Sequence, residues 1–131
     1  MIWLELRDVE AFHSLQITDF GGLAGTRDRG ALESAIARPL NLAAYGKPTV
    51  FELAASYAFG IARNHPFVDG NKRTALVTCF TFLELNGRVV NAPETDSVLT
   101  FVDLAAGKLS EKELARWLEA HCGRRRKEPR K

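Results

Sequence analysis

The chain has little that would tie it to a membrane, a disulfide framework or a common nucleotide loop. No apolar run approaches the roughly 20 residues of a membrane-spanning helix. The start, "MIWLELRDVE", lacks the charged-then-apolar layout of a secretory leader. Of only two cysteines in 131 residues, Cys79 sits inside an apolar run and Cys122 near the end of the last periodic segment. That usage points to reduced thiols in a reducing compartment, so a cytoplasmic protein is expected. The phosphate-loop pattern GxxxxGK[ST] is absent, which excludes an ordinary P-loop nucleotide site. His13, His121 and Cys122 match no standard ligand spacing, so no metal site is expected from them. Internal repeats and interdomain linkers are missing too, and the length suits one domain.

The formal net charge of +2 conceals an uneven distribution. The segment "RRRKEPRK", Arg124 to Lys131, carries six cations and one anion, or +5, which leaves residues 1–123 at −3. We read 1–123 as the folded domain and 124–131 as a basic, disordered tail. Such a run can attract nucleic acid or an acidic partner, but a solvated end is the simpler reading.

Hydrophobic periodicity is helical nearly throughout, which predicts an all-α, compact bundle of about six helices with at most a minor β element. A first helix is expected from about Asp8 to Phe20, ending at "GGLAG". Asp28 can cap a second, "RGALESAIA", that stops before Pro39, with "NLAAYGKP" as a loop. Thr49 and Glu52 fit a capping box for a third helix that Pro66 closes, and a fourth runs from about Asn71 to Gly87. Both are apolar on almost every face and should be central. "RVVNA" reads as a short edge strand that would pair with "IWLEL". A fifth helix covers about Glu94 to Ala106, and Ser110 with Glu113 caps the last, "EKELARWLEAHC".

The stretch "NHPFVDGNKRTALV", residues 64–77, crowds polar chemistry between the two central helices. His65 falls at the end of one helix and Gly70-Asn71 at the start of the next. The first N–H groups of a helix lack partners and favour an anion. Gly70 allows close backbone approach, while Lys72 and Arg73 add full charges, the arginine as a fork suited to phosphate. Asp69 would repel an anion unless a divalent cation lay between them, and magnesium suits one carboxylate plus phosphate oxygens and water. His65 can act as a base near neutral pH. Base, metal ligand and anion site together point to phosphoryl or nucleotidyl transfer. Phe67 reads as an apolar anchor, and Thr74 as a residue on the helix surface.

Together, "HPFVDGNKR" resembles the Fic/Doc family signature HxFx(D/E)GN(G/K)R. The resemblance extends to "GGLAGTRDRGALESAIARP" and "NKRTALVTCFTFLELNG", hence over most of the chain. It implies an all-helical fold with ATP and Mg2+ as cosubstrates. It also places the family's base on His65, its metal-binding acid on Asp69, and its phosphate-binding glycine, asparagine and arginine on Gly70, Asn71 and Arg73. Members that transfer AMP carry glycine where this chain has Lys72, and a second arginine where it has Leu76. Both departures resemble the Doc branch, toxins of toxin–antitoxin pairs that move the ATP γ-phosphate to a threonine of elongation factor Tu. Gly70 points the other way, because the best-known Doc has alanine there. The inhibitory pattern (S/T)xxxE(G/N) is absent, since Glu84 follows Phe80 and Glu113 follows Leu109 by four residues. The resemblance therefore implies a separate, Phd-like antitoxin, through which alone nucleic acid would be reached. Three functions remain open at this point: a toxin kinase, an AMP transferase using the same residues, and a module that binds nucleotide or a partner helix without turnover.

Overall fold

The computed structural model describes residues 1–124. Six helices follow one another: α1 (Leu6–Phe20), α2 (Arg29–Tyr45), α3 (Val50–Asn64), α4 (Asn71–Leu85), α5 (Glu94–Ala105) and α6 (Glu111–His121). Two short strands, β1 (Arg88–Val90) and β2 (Cys122–Arg124), complete the described chain. The all-α reading with a minor β element is borne out.

Helix starts follow local chemistry. The Thr49 hydroxyl accepts the Glu52 N–H at 3.1 Å while the Glu52 carboxylate accepts the Thr49 N–H at 2.8 Å. Ser110 and Glu113 repeat that exchange at α6, and Asp28 caps α2 through the Ala31 N–H at 3.0 Å. α1 starts two residues before Asp8, because the Asp8 carboxylate reaches back to the Glu5 N–H at 2.7 Å and so closes a turn ahead of itself.

α3 lies at the centre, packed by α2, α4, α5 and α6. α4 buries the stripe Asn71, Thr74, Ala75, Thr78, Cys79, Phe82 and Leu83, with α1 and α5 also against it. Thr74 is thus fully buried and not on the helix surface, because its position lies on the inward 3–4 repeat; its hydroxyl and that of Thr78 lack hydrogen-bond partners. Where α2 crosses α3, a Cβ at Gly60 would lie 2.9 Å from both Ala35 Cα and Ala35 Cβ, so the approach requires glycine.

The end of α2 also differs from expectation. α2 runs through Pro39 to Tyr45, so the stop before proline and the "NLAAYGKP" loop are corrected. Proline removes one backbone bond and crowds the preceding turn. Here it continues the buried stripe Leu32, Ala35, Ile36, Pro39, and packing against α3 outweighs that loss. The exposed tyrosine is as expected, with Tyr45 91% exposed.

β1 pairs antiparallel with β2, Val89 opposite Gly123, and not with "IWLEL". The N-terminal segment finds side-chain partners instead. The Asn86 amide exchanges two hydrogen bonds with the Ile2 backbone, at 2.8 and 2.9 Å. The Tyr57 hydroxyl accepts from Leu4 N–H at 3.0 Å and donates to Leu4 O at 2.9 Å. Burial pushes the Tyr57 phenol up to about 12, so it stays neutral in that double role. Arg124, placed in the tail by sequence, ends β2 opposite Arg88; the rest of the expected tail, residues 125–131, lies outside the described residues.

Candidate active site

The loop between α3 and α4 is closed by its own residues. The Asn71 side chain accepts the Phe67 N–H and donates to the Phe67 carbonyl, both at 2.9 Å. Its amide is therefore committed to the loop, and what Asn71 can offer an anion is its backbone N–H in the first turn of α4. Phe67, 1% exposed, is the apolar anchor expected of it.

Under that anchor lies a residue that sequence reasoning had set aside. His13 of α1 is buried, its ring stacked on Phe67 with centroids 3.8 Å apart and 5° between planes. Its Nε2 lies 2.8 Å from the Asp69 carbonyl, and since a carbonyl only accepts, Nε2 carries the proton and donates. The available signal was positional. His13 follows Val9 by four residues and so shares the inward face of α1.

Asp69 is exposed at the loop tip, and its Oδ2 accepts the Leu23 N–H at 3.0 Å. Gly70 then takes the left-handed conformation, φ 78° and ψ 16°, as the residue capping α4. A Cβ there would meet Ile17 Cδ1 at 3.4 Å and the His13 ring at 3.6 Å, so both φ and space favour glycine. A hollow of about 360 Å³ opens beside it, lined by Ile17, Phe20, Gly22, Asp69, Gly70, Lys72 and Arg73 among others. The Arg73 guanidinium sits 4.0 Å above the Phe20 ring.

The hollow thus gathers Asp69, Gly70, Asn71, Lys72 and Arg73 around the free N–H groups of a helix start. His65 does not line it. It caps α3 at the opposite end of the loop sequence from Gly70, exposed, with φ 48° and ψ 56°, the only non-glycine residue at positive φ among those described. Arg27 holds it there, donating from Nε at 3.1 Å and Nη2 at 2.7 Å to the His65 carbonyl. Segment 25–28 runs antiparallel to the loop, with a bridge between Thr26 and Phe67 and a Val68 N–H bond to the Gly25 carbonyl at 3.1 Å. Arg27 carried no signal in sequence, because its role depends on which carbonyl the fold brings to it.

The chemistry available follows from these groups. Among the described residues no cluster of three or more His, Cys, Asp or Glu side chains is placed to hold a metal. Asp69 alone stands beside the anion-favouring hollow, a donor set that fits magnesium held jointly with phosphate oxygens. Both thiols are poor nucleophile candidates, since burial pushes Cys79 well up and Cys122 up. An exposed imidazole, a carboxylate and a cationic hollow suit transfer between a phosphorylated donor and a hydroxyl.

Comparison with known proteins agrees with this architecture. A sequence profile described as the Fic/DOC family matches residues 3–83, from the N-terminal segment almost to the end of α4. The chain is similar to "Protein kinase doc" of Escherichia phage P1, 39% identical over 107 residues, which cover 80% of this chain and 83% of that one. It is also similar to "Toxin Doc" of Mycolicibacterium smegmatis, 46% identical over 71 residues, 52% of this chain and 54% of that protein. The span of the match, running through the loop and both helices that frame it, places the chain in the Fic/DOC family, on its Doc branch.

Proposed function

We propose that this protein is the toxin of a toxin–antitoxin pair and acts as a protein kinase, transferring the γ-phosphate of ATP to a threonine of elongation factor Tu and so arresting translation. The observation that carries the reading is the hollow at the start of α4. It combines free helix N–H groups, Lys72 and Arg73 with the single carboxylate of Asp69. The name of the phage relative, "Protein kinase doc", supports kinase chemistry over other uses of the same residues. Lys72 adds charge and bulk beside the phosphates, and Leu76 offers them no second guanidinium.

Triphosphate would lie along the α4 start, its terminal phosphorus facing the acceptor hydroxyl. His65 takes the proton of that hydroxyl as its oxygen bonds to the γ-phosphorus. The bond from that phosphorus to the β,γ-bridging oxygen breaks, and ADP leaves. Asp69 would hold Mg2+, which neutralises phosphate charge as the transfer proceeds. A Phd-like antitoxin is the proposed inhibitor, because the chain carries no inhibitory pattern of its own. The setting proposed is the cytoplasm, where such a target resides; among the described residues no helix is long and apolar enough to cross a membrane.

Gly70 favours a second reading, AMP transfer, since members that transfer AMP resemble this chain in carrying glycine there. ATP labelled at the γ or the α phosphorus, incubated with elongation factor Tu and magnesium, separates the two. Label on threonine from the γ position alone is expected, and none with His65→Ala. Transfer from the α position would make it an AMP transferase. Binding of ATP with no transfer to any protein in a cell extract would instead point to a non-catalytic module.

A further inference from the structure

His65 is held in a conformation it would not choose. Left-handed backbone at a non-glycine residue is strained and persists only where the surroundings impose it. The cause is visible in four donors that converge on two consecutive carbonyl oxygens. Arg27 Nε and Nη2 donate to His65 O at 3.1 and 2.7 Å, while the Arg27 and Asp28 N–H groups donate to Pro66 O at 2.8 and 3.0 Å. Asp28 is itself fixed as the cap of α2. The arrangement therefore ties the rim of the loop to an element anchored in the core.

We infer that Arg27 is a positioning residue for the transfer reaction, setting the direction of the His65 imidazole by gripping the His65 carbonyl. The inference rests on the proposed role of His65 as base. At a left-handed residue the carbonyl and the Cα–Cβ bond are fixed relative to one another, so fixing one aims the other. α3 secures the residue on its N-terminal side and the Pro66 carbonyl on its C-terminal side, leaving the His65 carbonyl as the remaining hinge. A guanidinium suits this task doubly. It makes a charge-assisted, two-pronged bond, and its charge meets the negative end of the α3 dipole.

The same geometry sets what Arg27 does not do. It is exposed, so its bond adds little to global stability in water. It does not line the hollow at the α4 start, so it should not hold nucleotide.

The test compares Arg27→Gln and Arg27→Lys with the parent. Misplacement of a reacting group by about 1 Å can lower rates on the order of 100-fold. For Arg27→Gln, kcat should fall at least tenfold, the Kd for ATP should stay within about twofold, and Tm should hardly move. Arg27→Lys, keeping the charge but losing the fork, should fall between. Amide signals of His65 and Val68 in NMR spectra should shift or broaden in Arg27→Gln, while those of α5 and α6 stay in place. Parental kcat together with unmoved His65 signals would overturn the inference. So would a loss of ATP affinity in step with kcat, which would make Arg27 a nucleotide ligand. If the parent itself transfers nothing, the proposed function fails by that result. The NMR arm then decides the positioning claim, unmoved His65 signals refuting it and displaced ones supporting it.

Discussion

Replacing His13 by leucine tests whether the loop owes its shape to α1. Leucine keeps an apolar side chain under Phe67 but removes the donor to the Asp69 carbonyl and the ring stacked at 3.8 Å. A hydrogen bond of this kind contributes about 0.5–1.5 kcal/mol net, and a stacked ring pair about as much again beyond its buried area. A loss of roughly 1–3 kcal/mol is expected, a Tm decrease of about 5–10 °C for a domain of this size. The local effect should exceed the global one. The carbonyl that His13 holds belongs to the residue whose carboxylate accepts from Leu23, and Gly70 follows it directly. Magnesium-dependent ATP affinity, measured by calorimetry below the melting range, should therefore fall more steeply than stability. His13→Gln places an amide donor near the former Nε2 without the ring, and should recover affinity while remaining less stable than the parent. If His13→Leu melts and binds like the parent, the clamp is a bystander. If glutamine restores nothing, the hydrogen bond is not the operative contact.

Three further outcomes follow from the geometry. Asp69→Ala should abolish the magnesium dependence of ATP binding while leaving the helical circular-dichroism spectrum unchanged; equal dependence in mutant and parent would remove the metal assignment. Gly60→Ala should destabilise by about 1–3 kcal/mol in urea unfolding, because its new methyl must displace the Ala35 backbone at 2.9 Å, and a neutral result would show that α2 and α3 can separate freely. Tyr57, whose folded pKa is raised from 10.0 to about 12, holds its proton in the folded state after the unfolded chain has released it. Its contribution is therefore complete below about pH 10 and lost as pH rises towards 12, up to about 2–3 kcal/mol, and Tyr57→Phe should flatten the decline between pH 9.5 and 11.5.

What was legible in the sequence is what local chemistry determines. Capping boxes at Thr49–Glu52 and Ser110–Glu113 are exchanges between residues three apart, and they stand where spacing put them. The loop motif was legible for the same reason, since closure by Asn71 on Phe67 is made within five residues. The errors fall where a distant partner decides. Pro39 ends a helix in isolation, yet α3 offers its stripe enough packing to carry α2 through. β1 takes β2 because Asn86 and Tyr57 already occupy the backbone of the N-terminal segment.

The candidate site divides along the same line. Groups that would touch a nucleotide, Asp69 to Arg73, form one continuous stretch and announce themselves. Those that hold the stretch in shape come from 56 residues away in the case of His13 and 38 in the case of Arg27. Neither is unusual in composition. His13 looks like any histidine on an apolar helix face, and Arg27 like any arginine before a cap. Their meaning lies in the carbonyls they meet, those of Asp69 and His65, which flank the loop at its two chemical ends. Each end is thus set by one donor from the N-terminal part of the chain acting on a backbone atom. With both ends held from outside, the motif commits the Asn71 amide to its own closure and the Phe67 ring to the stack on His13, and presents the first turn of α4 to the hollow.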